Sequence, residues 1–555
     1  MSSSTRFDDL TNIAHALRLQ ADDRPDGVAL IVPLKRVGGR WTDRRYTYRQ
    51  LNDLSDRLAI GLRLRGIGAG ARVALMVPPS LEFFALFFAL FKAGCVPVLI
   101  DPGIGLKSLK ACLGEARPEA FIGVTRAQLA RIVLGWARGH VKRSVTVGPR
   151  PLFRGLHYLD LLTENASDFV PVETSPEAPA AILFTSGSTG IPKGVVYRHR
   201  HFVAQVRLVR DTYGIRSGEV DLPTFPPFAL FDPALGMTTV IPKMDFTRPA
   251  KVDPEMLVSL IDQYGVTNLF GSPALMNTLS RYLEQNGTRL PGLKRVLSAG
   301  APVSPAVVER MHQALDPSAD LHTPYGATEC LPVASIGGHQ LMDGLSDGNR
   351  KGLGICVGKP LPANRVRVIR ITDKPLARLA DSVVVDAGDI GEICVAGPTA
   401  TDTYWQRDAQ TRLAKMVDDN KVVWHRMGDL GWFDEQGRLW YCGRKSDRVV
   451  TESGTLFTEC VEGVVNAVSG VYRSALVGIG DNNRQTPVVI VEPEAGQAAK
   501  KLVRRVRERL QLNDLTAGIK HVASHKSLPV DIRHNAKINR KKLAEWAAGK
   551  FGIED

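Results

Sequence analysis

Residues 184–194 read FTSGSTGIPKG. Four hydroxyl side chains, Thr185, Ser186, Ser188 and Thr189, crowd around Gly187 and Gly190, and Lys193 follows. Glycine lets a backbone approach an anion closely, because no Cβ holds it off. Inward-turned N–H groups, hydroxyls and an ammonium all donate to phosphate oxygens. The loop is therefore a candidate phosphate cradle, weighed against a plain polar turn of serine and glycine. It is not a Walker A loop, which needs Ser or Thr after its lysine; here Gly194 follows Lys193 and Pro192 precedes it.

Five other stretches carry groups able to act on a nucleotide. LSAGAP (297–302) is a strand running into a small-residue turn, where a flat ring can lie on the backbone of Gly300, Ala301 and Pro302. TPYGATEC (323–330) sets Tyr325 before a turn, with Gly326, Ala327, Thr328 and Glu329 after it. An aromatic stacks on a base, and a carboxylate holds Mg²⁺ through a hard oxygen. HRMGDLGWF (425–433) places Asp429 in what reads as a tight glycine-flanked turn, suited to the hydroxyls of a ribose. GRKSDR (443–448) carries Arg444, and PVDIRHNAKINRKK (529–542) puts Lys537 in a polar loop.

The elements that must position these groups are legible in outline. A chain of 555 residues exceeds one core, so two or more domains are expected. Short apolar runs (RVALMV, CVPVLID, EAFIGV, AAILFT, NLFGSP, KRVLSAG) alternate with helical patterns such as Leu51, Leu54, Leu58 and Leu62. That is an α/β layered fold with substantial parallel sheet. From about 354 to 443 helices thin out and short strands suggest a small barrel. The pattern changes again after GRKSDR, which predicts domains at 1–444 and 445–555.

Composition excludes several classes. The net charge of +14 is spread along the chain. Its densest run, KKLVRRVRER (500–509), keeps Leu502, Val503, Val506 and Leu510 at helical spacing, so it reads as a solvated helix face, not a nucleic-acid patch. Seven cysteines, odd in number and without CxxC, fit free thiols in a reducing compartment. MSSSTRFDDL is too polar for a signal peptide. FFALFFALF (83–91) falls far short of the ~20 residues that span a bilayer and predicts a buried helix. A cytoplasmic protein with no nucleic-acid partner and no transmembrane segment is expected. RHRH (198–201) reads as a solvated helix start, so His199 and His201 stay outside the catalytic set.

The order FTSGSTGIPKG, YGATE, GDLG, GRKSD and a late lysine resembles the acyl-adenylate-forming superfamily of acyl-CoA synthetases, adenylation domains and luciferases. The resemblance covers essentially the whole chain. It implies a large N-terminal domain and a small mobile α+β C-terminal domain with the site between them. It implies ATP and Mg²⁺, with Thr185 to Lys193 (including Ser186, Gly187, Ser188, Thr189 and Gly190) holding the pyrophosphate end. Gly300, Ala301 and Pro302 would flank the adenine, Tyr325 would stack on it, and Gly326, Ala327 and Thr328 would border the nucleotide. Glu329 with Thr185 would serve the metal, Asp429 the ribose with Arg444 nearby, and Lys537 would be the catalytic lysine. Lys445, Ser446 and Asp447 align with the hinge.

Two departures stand out: Ala536 where the family has glycine, and TESGTLFTECVE (451–462), which lacks the usual proline. Both touch the second half-reaction, and the chain ends shortly after Lys537 with no carrier domain expected. FPPFALFDPALGMTTVIPKMDFTRPAKVDP (225–254) and TPYGATECLPVASI (323–336) look like the β-lactone synthetases of bacterial long-chain olefin biosynthesis. That narrower resemblance implies a 2-alkyl-3-hydroxy fatty acid as substrate, other enzymes of that pathway as partners, and Phe228, Phe231 and Phe270 as acyl-pocket residues. A long-chain fatty acyl-CoA ligase is the alternative expectation.

Overall fold

The computed structural model describes residues 10–552, apart from 151, 152, 154, 165, 167, 168, 186–191, 482, 483 and 531–537. Two large sheets dominate the first 444 residues. The first runs Leu156–His157, Arg143–Val147, Ala120–Val124, Arg72–Met76, Val96–Ile100, Pro179–Thr185, Lys193–Arg198. It is parallel except for the last pair, an antiparallel hairpin. In the second sheet, Val28–Val37, Thr238–Val240, Val220–Pro223, Asn268–Gly271, Arg295–Ser298 and the start of Asp320–Ala327 lie side by side and parallel. It continues as antiparallel strands Cys330–Gly337, Ile355–Pro360, Leu439–Arg444, Val423–Phe433, Gly391–Ala396 and Arg365–Ile369. These last five are the short strands expected from 354 to 443.

The parallel strands read as unbroken apolar runs because both of their faces are covered. One cover is the helix Leu81–Lys92, capped by Ser80 Oγ on the Phe83 amide and buried along Phe83–Lys92. Its terminal lysine is satisfied in place: Lys92 Nζ donates to Asp56 Oδ1 at 2.6 Å and Ser55 Oγ at 2.7 Å. Burial lowers that ammonium to about 8 against the pull of Asp56. Among the described residues no helix is long and apolar enough to cross a membrane. All seven cysteines are free and buried.

Residues from 449 onward build separate layers. A three-stranded sheet, Val471–Ile479, Thr486–Pro493 and His521–Ser524, is covered by helices Thr458–Asn466, Ala499–Gln511 and Arg540–Phe551. Two apolar clusters there draw only on residues numbered 449 and above. The basic helix Ala499–Gln511 buries Leu502, Val506 and Leu510, as its spacing predicted.

One buried feature of the second sheet sets a pH dependence. Asp221 and Asp232 are 1% and 0% exposed, and Asp232 Oδ2 accepts from Thr239 Oγ1 at 3.0 Å. Burial raises both carboxyls, Asp221 to about 7, and the charge of Asp221 raises Asp232 further. A raised folded-state value favours the fold at low pH and loses that contribution as pH rises toward 7. For a single uncoupled carboxyl the loss is about 2–3 kcal/mol between pH 5 and 7. Urea denaturation across that range is expected to show the decline, and Asp221→Asn to lessen it, with Asp232 still buried; a flat wild-type profile contradicts the raised carboxyls.

Candidate active site

Four parallel strands of the second sheet deliver site residues at their carboxyl ends, where open α/β sheets place ligands. Val220–Pro223 leads to Phe228 and Phe231, and Asn268–Gly271 contains Phe270. Arg295–Ser298 leads to Gly300, Ala301 and Pro302, all partly or fully exposed. Asp320–Ala327 carries Tyr325, Gly326 and Ala327 and ends in the turn of Thr328 and Glu329. In the first sheet, Thr185 and Lys193 are register partners at the loop end of their hairpin. Residues Ser186, Gly187, Ser188, Thr189 and Gly190 lie outside the described residues, as does Lys537. The loop thus joins two antiparallel strands.

Tyr325, Asp429 and Arg444 meet. The Tyr325 hydroxyl donates to Asp429 Oδ2 at 2.7 Å, and Arg444 Nη1 lies 2.8 Å from Asp429 Oδ1. Asp429 is 3% exposed. It does not sit in a turn. It lies within the strand Val423–Phe433, opposite Arg444 in register. The flanking glycine that suggested a turn, Gly428, has φ +65 inside the strand. The Asp429 carboxylate holds the Arg444 guanidinium well above its ordinary range. Burial, with Asp429, raises the Tyr325 phenol, so it stays a neutral donor.

Glu329 stands in a second group. Its Oε1 accepts from the Tyr404 hydroxyl at 2.6 Å, and Lys193 Nζ lies 4.8 Å over the Tyr404 ring. The Glu329 backbone carbonyl accepts from the Thr401 amide at 2.9 Å and its hydroxyl at 3.0 Å. Lys415 Nζ in turn donates to Thr401. Burial lowers Lys415 to about 8, opposed by Glu329. Tyr404, Thr401 and Lys415 form the scaffold of the carboxylate. They lie 72–86 residues beyond Glu329 in a stretch without a recognisable motif, which is why sequence reasoning missed them. Among the described residues only Tyr404 hydrogen-bonds the Glu329 carboxylate, so this partly exposed group fits a divalent cation.

The phenylalanines converge. Phe228 and Phe270 stack at 4.2 Å with planes 13° apart, and Phe231 meets Phe228 edge-on at 6.3 Å. The neighbouring histidines correct an expectation. His199 does begin a helix, but His199 and His201 are 1% and 0% exposed, not solvated. Phe91 and Tyr197 pack edge-on against them, and burial lowers them to about 4 and about 3.

Residues 445–447 form a single turn between two anchors. Lys445 Nζ binds Glu392 Oε1 at 3.0 Å, and Glu392 is also held by Arg426 Nη2 at 2.6 Å. Asp447 faces Arg540 at 3.4 Å, and Arg540 binds Glu462 at 2.6 Å. Ser446 lies between, its hydroxyl on Asp447 Oδ1 at 3.1 Å. Arg448 reaches back to Asp373 at 2.6 Å. Beside this joint, burial and then Glu462 push the Glu459 carboxyl up to about 7.

A sequence profile described as AMP-binding enzyme matches residues 17–405. The chain is 51% identical over 549 residues to an olefin beta-lactone synthetase of Stenotrophomonas maltophilia, covering 97% of this chain and 98% of the relative. It is 50% identical to another, from Xanthomonas campestris pv. campestris, covering 99% of each. Its fold matches the amide bond synthetase McbA from Marinactinospora thermotolerans with a TM-score of 0.79 at 22% identity, covering 96% of this chain and 99% of that one. The Tyr325–Asp429–Arg444 group and the Glu329–Tyr404 pair are thus carried by a chain that belongs to the AMP-binding enzyme family.

Proposed function

We propose that the protein is an ATP-dependent β-lactone synthetase. It adenylates a long-chain 2-alkyl-3-hydroxy fatty acid, and the substrate's own 3-hydroxyl then displaces AMP to close a four-membered ring. The observation that carries the reading is near-full-length similarity, at 51% identity, to a relative of that name.

The residues have work that fits it. The loop from Thr185 to Lys193 takes the pyrophosphate end of ATP, with Gly300–Pro302 and Tyr325 around the adenine. Asp429, fixed by Tyr325 and Arg444, accepts the ribose hydroxyls, since a carboxylate is an acceptor for O–H donors. Glu329, with Thr185, holds Mg²⁺. When bound, the ion stabilises charge on the phosphates as they separate. Lys537 places an ammonium between two anions, the attacking carboxylate and the α-phosphate. Phe228, Phe231 and Phe270 line the acyl pocket. The 3-hydroxyl is held next to the acyl carbon, so closure benefits from a high effective molarity and needs no external thiol.

The domain division at 444/445 belongs to the same proposal. It is supported by apolar clusters confined to residues beyond 449 and by the anchors on either side of Ser446. Rotation about Ser446 would carry Lys537 toward and away from the nucleotide, and would break the Arg448–Asp373 pair. The reading places the protein in the cytoplasm, handing its lactone to other enzymes of the olefin pathway.

Incubation with ATP, Mg²⁺ and a 2-alkyl-3-hydroxy acid is expected to yield a β-lactone, AMP and pyrophosphate without CoA, identified by NMR. A thioester formed only when CoA is present would make the protein an acyl-CoA ligase.

A further inference from the structure

A cluster away from the nucleotide residues has a different chemistry. His312 on helix Pro305–Ala314, Asp320 at the start of strand Asp320–Ala327, and His339 on the turn Gly338–Gln340 come together. Each can offer one ligand atom, and these atoms lie within 4.8 Å of one another. His312 Nε2 is 2.8 Å from Asp320 Oδ1, and the two imidazole rings meet edge-on at 4.5 Å.

The hydrogen bonds fix the tautomers. His312 Nδ1 faces the Val308 carbonyl at 2.9 Å, and His339 Nε2 faces the Ala319 carbonyl at 3.1 Å. A carbonyl only accepts, so each of these nitrogens donates. In the neutral rings the lone pairs are then left on His312 Nε2 and His339 Nδ1. For His312 that lone pair points at a carboxylate oxygen, which is also only an acceptor. Two acceptors at this distance need a cation between them, a proton or a metal. A ring N–H on a backbone carbonyl is also the outer contact that metal-bound histidines make.

The chain makes room for this arrangement with consecutive glycines. A Cβ on Gly337 would come within 2.1 Å of Asp320 Oδ2, and one on Gly338 within 2.2 Å of His312 Cε1. The close approach of three elements at this point is therefore written into the sequence as GG before His339.

We infer that His312, Asp320 and His339 form a binding site for a zinc-type divalent transition metal. Two imidazoles and a carboxylate suit Zn²⁺ or Co²⁺ and not Mg²⁺, which prefers oxygen donors. Metal–ligand bonds of about 2.0–2.1 Å in a tetrahedron place ligand atoms about 3.3 Å apart, so the His312–Asp320 pair opens by about half an ångström on loading. His339 is exposed, which leaves the fourth position to water. The ion clips a helix, a strand and a turn at the opposite end of the strand that carries Tyr325.

The test is titration of tag-free, full-length, chelator-treated protein with Zn²⁺ by calorimetry and with Co²⁺ by visible absorption, without nucleotide. Stoichiometric binding with a tetrahedral Co²⁺ spectrum is expected. His339→Ala, a surface change whose fold is checked by circular dichroism, is expected to weaken binding by more than about 100-fold, beyond the loss of an outer contact. Glu329→Gln is expected to bind as wild type does. No binding by the wild type, equal affinity in His339→Ala, or loss in Glu329→Gln would each overturn the assignment; the first leaves an imidazolium–carboxylate pair and the last moves the ion to the nucleotide site.

Discussion

Replacing Lys537 with alanine is expected to lower pyrophosphate release by about 100- to 1000-fold, the range for losing one donor aimed at transition-state charge. The attacking carboxylate and the α-phosphate are both anions, so their approach is opposed until positive charge stands between them. The lysine itself lies outside the described residues, but the residues that flank this stretch are held in place. Ile538 bridges to Val530, and the Asn539 amide donates to the Pro529 carbonyl at 2.7 Å. Three residues after Lys537, Arg540 binds Glu462 and faces Asp447 of the proposed hinge. The lysine is therefore tied to whatever the small domain does. ATP binding, followed by fluorescence of a nucleotide analogue, is expected to change little. Wild-type pyrophosphate release in Lys537→Ala would remove the residue from the mechanism.

The second large effect concerns Asp429. Asp429→Asn keeps the shape of the side chain and exchanges a carboxylate oxygen for an amide donor. The ribose hydroxyls then lose a charged acceptor, and an amide N–H turned toward Arg444 would meet a group that only donates. A hydrogen bond to a charged group contributes about 1.5–3 kcal/mol, which converts to about a 10- to 100-fold rise in KM for ATP. Because ribose binding is common to ground and transition states, kcat is expected to fall much less. The same change weakens the hold on Arg444, whose guanidinium lies 2.8 Å from Asp429 Oδ1. Steady-state kinetics with varied ATP decides it; an unchanged KM would mean that Asp429 serves Tyr325 and Arg444 alone.

The buried parallel strands were legible because covering both faces leaves a run such as VPVLI without polar interruption. Their distribution between two sheets was not. Val28–Val37 pairs with Thr238–Val240, about 200 residues away, and no local pattern encodes that register. Asp429 was misread as a turn residue because Gly428 and Gly431 flank it. In the structure Gly428 takes its positive φ within the strand, and the carboxylate is aimed at Tyr325. His199 and His201 were misread for a related reason. The arginines around them suggest solvent, while Phe91 and Tyr197 arrive from other elements to cover them. Tyr404 and Lys415 gave no signal at all, since the bond of Tyr404 to Glu329 and that of Lys415 to Thr401 exist only once the chain is folded.

The central claim is that the carboxylate is activated and the 3-hydroxyl attacks it. The most direct measurement follows the oxygens, using a 2-alkyl-3-hydroxy acid labelled with heavy oxygen in its carboxylate and mass spectrometry of both products. The account predicts one labelled oxygen in AMP, one in the lactone carbonyl, and an unlabelled ring oxygen from the hydroxyl. Unlabelled AMP with both heavy oxygens retained in the lactone would show that the hydroxyl was activated instead and left with AMP. That result would contradict the assignment of the whole site to acyl adenylation.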